Sequence, residues 1–172
     1  MTRRLILIRH AKSSWDDPRL ADHDRVLNSR GITACRLIGD WLAAHDHQPD
    51  EALVSDAART QETWSRIAAR LGPVPALRHE PRLYHAGAEM MLTVLRGATG
   101  RTVAMVGHNP GIAEFAARLL RLAPDHGDFR RYPTGATLVA DFAVADWGAL
   151  VPASGEVVDF VTPRELDGRR PG

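Results

Sequence analysis

Three short apolar runs in this chain each stop at a polar cluster. Leu5-Ile6-Leu7-Ile8 runs into Arg9-His10-Ala11-Lys12-Ser13, Ala52-Leu53-Val54 into Ser55-Asp56-Ala57-Ala58-Arg59-Thr60, and the run 102–106 into Gly107-His108-Asn109-Pro110-Gly111. An apolar run without polar alternation marks a strand buried on both faces. Between the runs, apolar residues recur at helical spacing. Ile32, Cys35, Ile38, Trp41 and Leu42 predict a helix over about 30–45. Trp64, Ile67, Ala68 and Leu71 predict one over about 57–71, ended by Gly72-Pro73. Met91, Val94 and Leu95 predict a third over about 87–96. Ile112, Phe115, Ala116, Leu119 and Leu120 predict a fourth, with Asn109 at the N-cap and Pro110 at the first helical position. Two late runs, 136–142 and 156–161, read as further strands. Doubly buried strands alternating with helices indicate an α/β fold, a three-layer α/β/α sandwich with a mostly parallel central sheet.

A chain of 172 residues suits one domain, so 1–172 is expected to be a single unit. The net charge is +1 and no long basic run occurs, which argues against nucleic acid or a membrane surface as partner. Cys35 is the one cysteine; it excludes an internal disulfide and is expected in the core. The apolar run 5–8 is too short for a signal-peptide core, and no stretch approaches the length of a membrane span. The expected compartment is the cytoplasm, and nothing in the sequence requires more than a monomer. His45 and His47 have no cysteine or converging carboxylates beside them, so no metal site is read there and both are expected to be exposed.

The polar clusters carry the chemistry. Ligands of open α/β sheets bind outside the carboxyl ends of the strands. If the three strands are parallel neighbours, Arg9, His10, Arg59 and His108 meet there with two helix N-termini, which is an inventory for binding an anion. Two guanidiniums favour planar, bidentate contacts to phosphate or carboxylate. A lone His or Arg at a strand end is more often structural, but three clusters at equivalent ends are hard to ascribe to coincidence. The segment 11–29 is long for a compact fold, and loops of that length are usually functional or covering segments.

Leu7-Ile8-Arg9-His10-Ala11 resembles the first motif of the histidine phosphatase superfamily, Ser55-Asp56-Ala57-Ala58-Arg59-Thr60-Gln61-Glu62-Thr63 its second, and Val106-Gly107-His108-Asn109-Pro110 its third. The compact length, the stretch from Asp24-Arg25-Val26-Leu27 to Gly31, and Tyr132-Pro133-Thr134-Gly135-Ala136 are most similar to SixA-type phosphohistidine phosphatases. The resemblance spans about residues 4–142 and implies a phosphoglycerate mutase-like fold. It implies that His10 attacks phosphorus and becomes a phosphohistidine that water then hydrolyses, without metal or other cofactor. Arg9, Arg59 and His108 would hold the phosphoryl oxygens, with Ser13 and Thr60 as further substrate contacts.

An attacking nitrogen must be unprotonated. Repulsion from Arg9 and Arg59 is expected to help keep His10 neutral, and its other nitrogen needs an acceptor, for which a backbone carbonyl in the 11–13 loop is suited. The family usually has Gly where Ala11 stands. Larger members place a Glu between the second and third motifs, and Glu80 is the positional candidate for a general acid. The implied partner is a phosphate-bearing substrate, with phosphohistidine on a protein as the subgroup's choice. A small phosphomonoester and a non-catalytic phosphate-binding module are the alternatives.

Overall fold

The computed structural model describes residues 1–73 and 75–168. Six strands form one sheet: β1 (Arg3–Arg9), β2 (Glu51–Val54), β3 (Ala76–His79), β4 (Thr102–Gly107), β5 (Thr137–Phe142) and β6 (Glu156–Val161), in the order β3-β2-β4-β1-β5-β6. β3, β2, β4 and β1 pair in parallel, β5 runs against β1, and β6 runs against β5. The helices are α1 (Ser29–Ala44), α2 (Ala58–Ala68), α3 (Ala88–Arg96), α4 (Gly111–Leu119) and α5 (Pro163–Leu166). This is the expected α/β sandwich.

β1 shows why its sequence lacks polar alternation. Leu5 and Leu7 enter one apolar core with Met91 of α3 and Phe115 of α4. Ile6 and Ile8 enter a second core with Ile38 of α1 and Trp64 of α2. Helices therefore cover both faces of the sheet, and a central strand has no solvent side on which to place polar residues. Cys35 lies in the second core, where burial pushes its thiol pKa up to about 12.

Register places the functional edge. Arg9 pairs with Gly107 across β1 and β4, and Val54 pairs with Val106 across β2 and β4. The three parallel strands thus end side by side, and the residues that follow them emerge together. α1 is locked against this edge. Asn28 caps it by accepting from the Gly31 amide at 2.9 Å, and a Cβ on Gly31 would stand 2.2 Å from the Lys12 carbonyl oxygen, so only glycine fits.

Three local expectations need correction, and one strand is not predicted by the sequence. β3 lacks any apolar pattern because it is a sheet edge with all four residues exposed. α2 ends at Ala68 rather than near 71, and the chain continues in tight turns with Arg70 N–H on the Ile67 carbonyl and Leu71 N–H on that of Ala68. α4 begins at Gly111 with Pro110 at its N-cap; Asn109 does not cap it, because its Nδ2 donates to the carbonyls of Arg131 and Tyr132. His45 is exposed as expected, but His47 is buried, packed against the Trp41 ring and 3.3 Å from Arg4 Nη1. Among the described residues no helix is long and apolar enough to cross a membrane.

Candidate active site

The polar residues after β1, β2 and β4 converge. The His10 amide donates to the Gly107 carbonyl and the Ser55 amide to that of Val106, both at 3.1 Å. The His10 and His108 rings stand 5.3 Å apart between centroids. Arg59, one residue into α2, is buried beside them, and its charge acts on both rings. Arg9 follows from the last position of β1.

The hydrogen bonds fix the state of His10. Its Nδ1 lies 2.7 Å from the Ala11 carbonyl oxygen, which can only accept, so Nδ1 carries the proton. A neutral ring then has its lone pair on Nε2. Burial lowers the His10 pKa to about 4, with repulsion from Arg59, Arg9 and Arg25 adding to it and the Ala11 bond opposing it. Loss of hydration, more than the neighbouring cations, keeps this histidine neutral.

His108 is also held neutral. Burial first, then repulsion against a protonated His10 ring and against Arg59, bring its pKa to about 3. Its Nε2 is 2.8 Å from the Ser55 hydroxyl. With that hydroxyl donating to Nε2, the ring proton sits on Nδ1, which is buried and has no partner within the protein. Arg9 Nε and Arg59 Nε are likewise buried without partners. Buried donors are nearly always bonded in native proteins, so three orphans in one cluster point to an acceptor supplied from outside.

The two arginines are oriented by groups for which the sequence implied no role in the site. Arg9 Nη1 donates to the Tyr132 carbonyl at 3.1 Å. Tyr132 has a φ of 48°, unusual for a residue with a side chain, and is pinned there by its hydroxyl, which donates to Leu7 O at 2.6 Å and accepts from Leu138 N at 3.1 Å. Arg59 is held by Asp22, in a short 3-10 turn (Asp22–Asp24) at the crest of the 11–29 loop. The Asp22 carboxylate also accepts from the Tyr84 hydroxyl at 2.6 Å and from Arg25. These bonds, Tyr84's foremost, hold its pKa well below the usual carboxylate range.

The remaining expected site residues are engaged with other protein groups. The Thr60 hydroxyl is buried and donates to the carbonyls of Ser55 and Ala57, which makes it a support for the turn into α2. Ser13 Oγ accepts from Arg25 and so braces the loop. Glu80 is paired with Arg82, whose Nε and Nη2 donate to its two oxygens at 2.9 and 3.0 Å. That pairing lowers its pKa and favours the carboxylate form. Among the described residues no group of three or more His, Cys, Asp or Glu side chains is placed to hold a metal ion.

Comparison with known proteins agrees with this arrangement. A family model described as histidine phosphatase superfamily (branch 1) matches residues 5–85. An uncharacterised protein of Mycobacterium tuberculosis is 31% identical over 164 residues, covering 91% of this chain and 100% of the relative. A structure from Nakamurella multipartitia assigned as phosphohistidine phosphatase SixA superposes with a TM-score of 0.82 at 28% identity, covering 95% of this chain and 97% of the other. A second such structure, from Agrobacterium tumefaciens, gives 0.76 at 26% identity, covering 94% and 99%.

Proposed function

This chain belongs to the histidine phosphatase superfamily, branch 1, and we propose that it is a phosphatase that takes the phosphoryl group from a phosphohistidine on a protein. The observation that carries this reading is the neutral His10 ring, Nδ1 committed to the Ala11 carbonyl, set among buried donors with no protein acceptor.

In the proposed reaction the His10 Nε2 lone pair attacks phosphorus and a P–N bond forms. The bond from phosphorus to the substrate nitrogen breaks, and its electron pair returns to that nitrogen. Arg9, Arg59 and the Nδ1–H of His108 hold the phosphoryl oxygens. Donors already aimed at developing charge require no reorganisation during the reaction, and each is worth on the order of 3–4 kcal/mol. Water then attacks the phosphorus of phospho-His10, the P–N bond breaks, and neutral His10 is restored as water's proton passes to solvent.

The leaving group decides between substrates. The substrate's phosphoimidazole can take a proton from solvent on its distal nitrogen and leave as neutral imidazole. An alkyl phosphomonoester instead releases an alkoxide, which needs a general acid at neutral pH. Glu80 favours the carboxylate form and His108 is neutral, so neither is suited to that task. This favours a phosphoramidate substrate.

The test is turnover of a phosphohistidine protein and of p-nitrophenyl phosphate, in EDTA, by wild type and by His10→Ala. The expected result is EDTA-resistant turnover of both, faster on the phosphoprotein, and lost in the variant. If wild type and variant are equally inert, the protein is a binding module; if EDTA abolishes turnover, the metal-free route is wrong.

A further inference from the structure

We propose that the groove between α1, the 128–134 loop and α5 is a docking surface for an acidic segment of the protein substrate, beside its phosphorylated side chain. The identity of the occupant rests on the phosphoprotein reading above.

The groove encloses about 670 Å³, and its rim carries Lys12, Arg30, Arg131 and Arg164, all exposed. Two acids, Asp128 and Asp167, also line it, and Asp128 pairs with Arg131 at 2.7 Å. Lys12, Arg30 and Arg164 have side chains with no ion pair or hydrogen bond among the described residues. A chain of net charge +1 has thus gathered three uncommitted cations around one groove. Leu37, Pro133 and Pro163 add apolar surface between them.

The groove adjoins the catalytic cluster through shared backbone. Lys12 is two residues past His10, and its carbonyl accepts from the Asn28 amide at the start of α1. Gly135, next to the lining residue Thr134, donates to the carbonyls of both Arg9 and His10 at 3.1 and 3.0 Å. The Arg131 carbonyl accepts from Asn109, the neighbour of His108. A polypeptide whose phosphorylated side chain enters the cluster has this groove alongside. The cations are supplied by four separate segments, the loop after β1, α1, the 128–134 loop and α5, so they are spaced around the rim. That spacing matches a run of carboxylates on a peptide better than one compact anion, and such complementarity governs encounter and register more than tight affinity.

The experiment compares two synthetic phosphohistidine peptides, one flanked by Asp and Glu and one by Ser and Gly. The enzymes are wild type and the double variant Arg30→Glu/Arg164→Glu. Wild type is expected to favour the acidic peptide in kcat/KM by roughly tenfold at low salt, through KM, and to lose the preference at high salt. The double variant should lose it at all salt concentrations while turning over p-nitrophenyl phosphate as wild type does. The proposal is overturned if wild type shows no preference, or if the preference survives in the double variant. Fluorescence anisotropy with the unphosphorylated acidic peptide decides the matter without catalysis: it should bind wild type and not the variant, and equal binding overturns the groove. A protein that hydrolyses nothing but binds that peptide through Arg30 and Arg164 loses the phosphatase reading and keeps this one.

Discussion

Arg59 holds Asp22 at two points: its Nη1 donates to the backbone carbonyl at 2.7 Å and its Nη2 to the carboxylate at 3.1 Å. The guanidinium assigned to the phosphoryl group is therefore already bound to an anion, one that Tyr84 and Arg25 help to fix. In the proposed reaction the crest of the 11–29 loop and the phosphoryl group share one cation.

Replacing Asp22 by Asn keeps the shape and removes the negative charge. A phosphoryl dianion then meets Arg59 without a competing carboxylate. Inorganic phosphate, as competitive inhibitor, should bind roughly threefold to tenfold more tightly to Asp22→Asn, consistent with a partly exposed pair. Weaker inhibition would instead mean that Asp22 orients Arg59 more than it competes for it.

Much of this site is legible in sequence because parallel strands of a doubly covered sheet end at one edge. An apolar run followed by Arg9-His10, Ser55 or His108 announces its own position. Asp22, Tyr84 and Tyr132 are not legible in that way. Asp22 reaches Arg59 only because the 11–29 loop folds back, with the Ser14 amide on the Val26 carbonyl, and no periodicity encodes that contact. Tyr132 acts through a backbone carbonyl, which any residue type supplies. Asn109 has the residue type of a helix cap, yet its side chain is drawn to the 131–132 carbonyls, where long-range contacts outweigh local preference.

Arg59→Lys keeps the charge and loses the fork. Lysine cannot make two parallel N–H contacts to one oxyanion. Its kcat/KM is expected to fall by roughly 10²–10³, as for loss of an oxyanion donor. Steady-state kinetics on a phosphohistidine peptide would check this, with circular dichroism establishing that the fold is intact. A fall of less than tenfold would argue that charge alone suffices.

Stability should follow pH through the buried His10 and His108, with His47, whose pKa burial also lowers, adding in the same direction. Their folded-state pKa values, about 4 for His10 and about 3 for His108, lie below the ordinary histidine value of 6.5. The unfolded chain therefore binds these protons first as pH falls. Their contribution is fully present above about 6.5 and declines below it, by up to about 1.4 kcal/mol per pH unit for each histidine until the folded form also titrates. Urea unfolding between pH 6.5 and 4.5 should show that slope, and His10→Gln should reduce it, since one of the histidine terms is removed. An unchanged slope in His10→Gln would mean that His10 is not held neutral. In the same window kcat/KM should stay nearly flat with respect to His10, because the nucleophile protonates only near pH 4.

Glu80→Gln separates the two substrate classes. In the folded protein Glu80 is bound to Arg82, which favours its carboxylate form, so its removal should take away no proton donor. If the leaving imidazole draws its proton from solvent, the variant should hydrolyse a phosphohistidine peptide within about twofold of wild type, a change well under 1 kcal/mol in barrier. An enzyme that relies on Glu80 as acid would instead lose roughly 10²–10⁴ in kcat, most visibly on alkyl phosphates with poor leaving groups. Measuring both substrates on the same preparation isolates the proton from the phosphoryl contacts, since the proposed reaction assigns Arg9, Arg59 and His108 the same contacts in each substrate. A loss confined to the alkyl phosphate would place Glu80 in an acid role that phosphohistidine does not need, and a loss on both would return it to the centre of the mechanism.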